Sequence, residues 1–263
     1  MDYSSVRLVA SDMDGTLLNT KHELSPDFFT IFDRMRSRGI LFSAASGRQY
    51  HNLYNCFPGI QDDIIFIAEN GSYVMHRGKE LHVQPMDADL TRDLLRRTKE
   101  LPNVLTILCG KNSAYIDNND PAFVARLSMY YDKYAVVDNL LNVEGDEFLK
   151  IAICDLSGTE QNTYPHFAQY RDALQVKVSG NVWLDLSHKL AHKGKALDVV
   201  QKKFGIAPEH TMVFGDYLND LEMMREARFS FAMENAHPEV KSAAKFTTRS
   251  NDDRGVLHIL EQL

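Results

Sequence analysis

The chain has 263 residues, 44% of them hydrophobic and 25% charged, a composition near that of ordinary globular proteins that excludes a disordered, collagen-like or membrane-embedded chain. The length exceeds the commonest domain size of about 100 to 150 residues, so one large domain or two joined ones are expected. A formal net charge of -7, from 29 Lys plus Arg against 36 Asp plus Glu, gives no general field for nucleic acid or an anionic membrane, and neither is expected as a partner. Cys56, Cys109 and Cys154 are odd in number and far apart, which reads as reduced thiols packed as small hydrophobes. The opening residues lack the basic start and the apolar run of about 7 to 15 residues that a secretory signal needs. No later stretch approaches the ~18 apolar residues of a spanning helix, so the cytoplasm is the expected compartment.

Val6 to Ala10 is a short apolar run ending in Ser11-Asp12-Met13-Asp14-Gly15-Thr16, a buried strand feeding an acidic loop. Ser25-Pro26 reads as a helix start, Phe28, Phe29, Phe32 and Met35 follow at helical spacing, and Gly39 stops the helix. Ile40 to Ala45 is a second strand closing on Ser46-Gly47-Arg48, a helix is expected to about Phe57, and Ile64 to Ala68 is a third strand before Glu69-Asn70-Gly71. Strand and helix alternate, which predicts a parallel α/β sheet whose loops gather at the C-terminal strand edge.

From 83 to 188 the rhythm changes. A helix is expected over 87–101, strands near 104–109 and 113–116, a helix over 120–131, a strand over 148–154, a helix over 160–173, and a hairpin around Ser179-Gly180-Asn181. Lys193 to Phe204 then makes an amphipathic helix ended by Gly205, Thr211 to Phe214 a strand ending at Gly215-Asp216, and 219–227 a helix. The first alternation has resumed. Residues 1–82 and 189–263 are therefore expected to build one sheet, with 83–188 inserted as a cap over its loop edge.

Asp12 and Asp14 lie two apart in extended chain, so both carboxyls address one small volume. Such a pair predicts Mg2+, a raised pKa on one member, or both. Ser46-Gly47 closes a strand with a hydroxyl and free backbone N–H groups, an anion site. Asp216, Asn219 and Asp220 bring two more acids and an amide to a later strand end, and Lys193-Gly194 opens the preceding helix with a positive charge.

Taken in order, Asp12-Met13-Asp14-Gly15-Thr16, Ser46-Gly47-Arg48, Lys193-Gly194 and Gly215-Asp216-Tyr217-Leu218-Asn219-Asp220 resemble the motifs of the haloacid dehalogenase superfamily. The size and place of the insert and the tail Asn235-Ala236-His237-Pro238-Glu239-Val240-Lys241 resemble its Cof-type branch, which carries a type IIB cap. The resemblance implies a Rossmann-like doubly wound parallel sheet with an inserted α/β cap, and a Mg2+-dependent phosphatase. It makes Asp12 the nucleophile that becomes an aspartyl phosphate, and Asp14 the acid and base that serves the leaving alcohol and the attacking water. It has Mg2+ held by Asp12, the Asp14 backbone carbonyl and Asp216, with Asp220 as an outer ligand or an orienter of Lys193. Ser46, Gly47, Lys193 and Asn219 bind the phosphoryl oxygens. Ser46 stands where relatives often carry Thr and supplies the same hydroxyl.

Phosphoryl transfer needs mainly positioning and neutralisation of charge on the equatorial oxygens, which Mg2+ and Lys193 supply, while Asp14 holds a proton near neutral pH. His188 and His192 lie near Lys193 but are not expected as ligands, since an acidic site suits a hard cation. Glu69-Asn70-Gly71 is expected as a turn. Tyr115, Asp117 and Trp183 are candidate readers of the leaving group within the cap, although core packing or ordinary surface is the commoner role for each. The expected substrates are small phosphorylated metabolites such as sugar phosphates or phosphorylated cofactors, acted on by a monomer or homodimer. A phosphomutase, or a receiver-like phosphoacceptor domain, is the alternative.

Overall fold

The computed structural model describes residues 2–179 and 182–263. The first part of the chain forms β1 (Leu8–Ser11), α1 (Asp27–Ser37), β2 (Leu41–Ala45), α2 (Tyr50–Asn55), β3 (Ile64–Ala68), β4 (Tyr73–His76) and β5 (Lys79–Val83). The middle forms α3 (Ala88–Glu100), β6 (Val104–Gly110), β7 (Ala114–Ile116), α4 (Pro121–Leu127), β8 (Tyr134–Val136), β9 (Phe148–Asp155), α5 (Tyr164–Phe167), β10 (Leu174–Val178) and β11 (Trp183–His188). The last part forms α6 (Lys193–Phe204), β12 (Thr211–Gly215), α7 (Leu221–Arg225), β13 (Phe229–Ala232), α8 (Pro238–Ala243), β14 (Phe246–Thr247) and α9 (Gly255–Leu260).

The short apolar runs become the buried centre of an eight-stranded sheet in the order β14-β13-β12-β1-β2-β3-β4-β5. Leu8, Val9 and Ala10 of β1 are fully buried, as expected for a strand covered by helices on both faces. β1 pairs in parallel with β2 on one side and with β12 on the other. The chain therefore leaves β1 in one direction through β2 and β3 and returns on its other flank, and β1 marks the point where strand order reverses. Asp12, Ser46, Glu69 and Asp216 each follow directly on a strand of this parallel set, so four strand ends meet at one edge.

The sheet is not wholly parallel. β4 runs antiparallel to β3, and β5 antiparallel to β4. The hairpin turns on Arg77-Gly78, whose φ angles of 51° and 67° suit the primed two-residue turns that match strand twist.

The middle region forms a separate six-stranded sheet in the order β10-β11-β9-β6-β7-β8. One face packs Leu108, Ile151, Ile153, Leu184 and Leu186 against Leu94 and Leu95 of α3. Three helices of the chain are shorter than their patterns suggest. α4 ends at Leu127, whose carbonyl takes both the Tyr130 and Tyr131 N–H groups, and the chain then turns toward the larger sheet. The 160–173 stretch yields only α5 and a 3-10 turn over Ala168–Tyr170; Pro165, in the first turn of α5, lacks an N–H and bars a helix running in from 160. α7 begins at Leu221, after a 3-10 turn over Leu218–Asp220. β10 and β11 pair antiparallel as expected for the hairpin, while Gly180-Asn181 lie outside the described residues. Among the described residues no helix is long and apolar enough to cross a membrane.

α1 is fixed by aromatic packing. Phe28 lies 5.1 Å from Phe42 and 5.9 Å from Phe32, and Phe42 lies 6.2 Å from Phe57, all between ring centroids. Phe42 is fully buried between α1 and the loop after α2, so Phe42→Ala is expected to cost about 3–5 kcal/mol, read from urea denaturation. Phe42→Leu should lose much less.

Candidate active site

The acidic loop after β1 folds back at once. Gly15 takes φ +78°, and a Cβ there would overlap the Asp216 carboxylate, so only glycine lets the two loops close on each other. Thr16 Oγ1 donates to Asp216 Oδ1 at 2.9 Å. Carboxylate oxygens of Asp12, Asp216 and Asp220 fall within 4.8 Å of one another.

Lys193, the first residue of α6, is fully buried behind Asp12. Its Nζ donates to Asp12 Oδ1 at 2.5 Å and to Asp220 Oδ1 at 2.7 Å. Asp220 Oδ2 accepts from the backbone N–H groups of Asp216 and Tyr217, so both its oxygens are engaged and it orients Lys193. The ammonium thus stands beneath the nucleophile candidate, not in the open cavity where a phosphoryl ligand was expected. Burial pushes the Asp12 carboxyl well above the usual carboxylate range, against the pull of Lys193. Burial and the neighbouring Asp220 push Asp216 up to about 7.

This donor set fits a hard divalent cation. It is all oxygen, it crowds three carboxylates around a single ammonium, and two of the three hold protons abnormally tightly. A bound cation would relieve that repulsion.

Asp14 departs from expectation. Its side chain turns out of the acidic cluster to Arg48, whose Nε and Nη2 grip the two oxygens at 2.7 and 2.5 Å, and His22 Nδ1 lies 2.9 Å from Oδ1. Burial works to raise the Asp14 pKa, but the Arg48 hydrogen bonds and charge, aided by His22, outweigh it and the net shift is downward. A proton held near neutral pH is therefore not what this pairing provides.

Ser46 and Gly47 belong to a loop, since α2 begins only at Tyr50. Ser46 Oγ accepts from the Arg48 N–H, and the Ser46 carbonyl accepts from the Asn70 N–H. Glu69, Asn70 and Gly71 all have positive φ, at 51°, 55° and 100°. A Cβ on Gly71 would meet the His192 carbonyl oxygen at 2.5 Å, so this strained turn brings Asn70 against Asn219, whose Nδ2 donates to Asn70 Oδ1 at 3.0 Å. The turn expected from Glu69-Asn70-Gly71 is thereby part of the site.

Asp12, Asp14, Ser46, Gly47, Asp216 and Asn219 line one cavity of about 260 Å³. Its roof comes from the second sheet. Trp183 lies there, but Tyr115 and Asp117 do not: Tyr115 donates to Asp146, and Asp117 pairs with Lys99. His188 and His192 use their Nδ1 atoms to accept from the N–H groups of Leu190 and Lys195.

The sequence reading missed Lys150 and Asp185 in that roof. Lys150 is buried, with Nζ donating to the Gly47 carbonyl at 2.8 Å and lying 2.9 Å from Glu69 Oε2. Burial pushes the Glu69 pKa up, opposed by Lys150. The available signal was a charge amid apolar strand residues, Phe-Leu-Lys-Ile-Ala and Trp-Leu-Asp-Leu.

The family of haloacid dehalogenase-like hydrolases matches residues 9–260. A 5-amino-6-(5-phospho-D-ribitylamino)uracil phosphatase of Escherichia coli (strain K12), YbjI, is 37% identical over 262 residues, covering 98% of this chain and 96% of the relative. Among solved structures, a protein of Streptococcus mutans UA159 aligns with a TM-score of 0.86 at 29% identity, covering 97% of this chain and 98% of that one. The HAD subclass IIB sugar phosphatase BT4131 aligns with a TM-score of 0.84 at 21% identity, covering 97% and 98%.

Asp216 binds its proton more tightly folded than unfolded, so between pH ~4 and about 7 the folded chain carries more protons and stability falls as pH rises. In EDTA the thermal midpoint is expected to drop across that window by several degrees, at about 2–4 °C per kcal/mol. Asp216→Asn should flatten the slope, and excess Mg2+ should do the same for the wild type.

Proposed function

The chain belongs to the haloacid dehalogenase-like hydrolase family, in its Cof-type branch with a subclass IIB cap, and is a phosphatase; we propose that it hydrolyses small phosphate monoesters through an aspartyl phosphate on Asp12. The observation that carries this reading is the Asp12–Lys193–Asp220 array set beside Asp216 at one strand edge, beneath a cavity. Residues 1–82 and 189–263 form the catalytic core in this reading, and 83–188 the cap.

Asp12 attacks phosphorus and the bond to the ester oxygen breaks; water then attacks the aspartyl phosphate, releasing phosphate and restoring the carboxylate. Lys193 aims Asp12 and favours its ionised form against the effect of burial, and Asp220 holds Lys193. The carboxylates of Asp12 and Asp216 and the Asp14 carbonyl would hold Mg2+, which when bound would supply positive charge against the phosphoryl oxygens. Ser46, Gly47 and Asn219 bind those oxygens, with Asn219 aimed by Asn70. Asp14 serves as acid for the leaving alcohol and base for water. That role requires Arg48 to release it, because a carboxylate gripped by two guanidinium N–H groups has no proton to give.

The substrates are sugar phosphates or phosphorylated cofactors and their precursors. Support for this class comes from the Escherichia coli relative, a phosphatase of a ribityl phosphate ester, and from a cavity of about 260 Å³ roofed by a second sheet.

Release of inorganic phosphate from ribityl, sugar, pyridoxal and flavin monophosphates tests the proposal. Turnover should require Mg2+, stop in EDTA, and fall by roughly three orders of magnitude or more in Asp12→Asn, as loss of a covalent nucleophile does. Stoichiometric free phosphate is the expected product; transfer to a second hydroxyl without release would make the protein a mutase, and metal-independent or unchanged turnover would overturn the mechanism.

A further inference from the structure

The roof of the cavity has its own chemistry. Side chains alternate along a strand, so Trp183 and Asp185 share one face of β11, while Lys150 and Ala152 share one face of the neighbouring β9, with Asp185 paired to Ala152 and Ser187 to Lys150. The opposite face holds the apolar Leu184, Leu186, Ile151 and Ile153. A charged pair on the inner face of a cap strand is costly to bury unless the charges have work to do or partners to meet.

Asp185 has both. Its Oδ2 accepts from Asn70 Nδ2 and from Ser179 Oγ, each at 2.9 Å, and lies 3.6 Å from Lys150 Nζ. Among the described residues its Oδ1 accepts no hydrogen bond, and Asp185 lines the same cavity as Asp12. A carboxylate oxygen without a donor, on a residue that lines a cavity, is an acceptor for whatever fills it. Trp183 and Tyr130 stand beside it, their rings 6.1 Å apart and close to perpendicular, and give the same cavity an aromatic wall.

We propose that Asp185, beside Trp183 and Tyr130, is the leaving-group subsite, taking an alcohol that carries at least one further hydroxyl or N–H donor and no second anionic group. This rests on the phosphatase reading above and names the substrate chemistry it serves. The donor of the alcohol satisfies Oδ1 and its carbon skeleton lies along the aromatic wall; because the two cations of the lining, Arg48 and Lys150, are already paired with Asp14 and Glu69, the Asp185 charge disfavours a carboxylate or second phosphate there. Through Asn70 the same residue touches Asn219, so occupancy of the subsite bears on the group that aims the phosphoryl oxygens.

The test compares the wild type, Asp185→Ala and Asp185→Asn on three esters: ribitol 5-phosphate, which offers hydroxyl donors; p-nitrophenyl phosphate, which offers none; and 3-phosphoglycerate, which adds a carboxylate. Asp185→Ala is expected to raise KM for ribitol 5-phosphate at least tenfold more than KM for p-nitrophenyl phosphate, with kcat less affected than KM. Asp185→Asn keeps an acceptor oxygen but loses the charge, so the ratio of kcat/KM for 3-phosphoglycerate to that for ribitol 5-phosphate should rise severalfold. Equal losses on ribitol 5-phosphate and p-nitrophenyl phosphate would show Asp185 to be structural only and overturn the subsite, as would kinetics unchanged on all three. A wild type that releases phosphate from none of the three, while folded by circular dichroism, would instead overturn the phosphatase reading and the subsite with it.

Discussion

A single buried ammonium balances the acidic edge. Lys193 has no contact with solvent and reaches two carboxylates at once, Asp12 and Asp220. Removing three acids from water without it would drive all of them to the neutral form. With it, Asp12 keeps a partner and Asp220 is locked by Lys193 and two backbone N–H groups, yet the balance is incomplete. Asp12 and Asp216 still hold protons too tightly, a deficit of positive charge that a divalent cation would relieve.

The second sheet is tied to this edge by buried and part-buried polar contacts. Lys150 reaches the Gly47 carbonyl and Glu69, Asp185 takes Asn70, and Gln49 Nε2 donates to the Lys133 carbonyl. These contacts hold Glu69 and Asn70 in a left-handed conformation that non-glycine residues seldom adopt. Strain in the loop and closure of the cap are thus parts of one arrangement. Moving the second sheet away would expose Lys150 and Glu69 to water and relax the turn that supports Asn219.

What the sequence disclosed follows from range. Strand ends, their acids and the α6 boundaries are local patterns, so Asp12, Ser46, Lys193, Asp216 and Asn219 were found by reading along the chain, and the structure brings them to one edge. The β4–β5 hairpin is carried only by the short turn Arg77-Gly78, a weaker signal than the strand–helix alternation around it. The Arg48 grip on Asp14 joins residues 34 apart, and the Asn70–Asp185 bond residues 115 apart. No periodicity encodes such a pairing. Tyr115 and Trp183 looked alike as aromatic residues of the insert, and only the sheet order, which puts β11 beside β9 and Tyr115 on the strand beyond β6, separates one that faces the cavity from one that does not.

The central place of β1 also governs how the chain can be assembled. Its two neighbours are β2, which follows closely, and β12, with Leu8 set against Thr211. During synthesis β1 therefore waits with one flank unpaired until about two hundred residues more have emerged, while the second sheet, whose strands all lie between 104 and 188, can close on itself first. Contacts so distant in sequence slow folding through the entropy of closing a long loop. An apolar strand with an open edge is meanwhile a template for pairing with other chains. The insertion that supplies a roof for the site thus also lengthens the interval in which the nascent protein is most prone to aggregate.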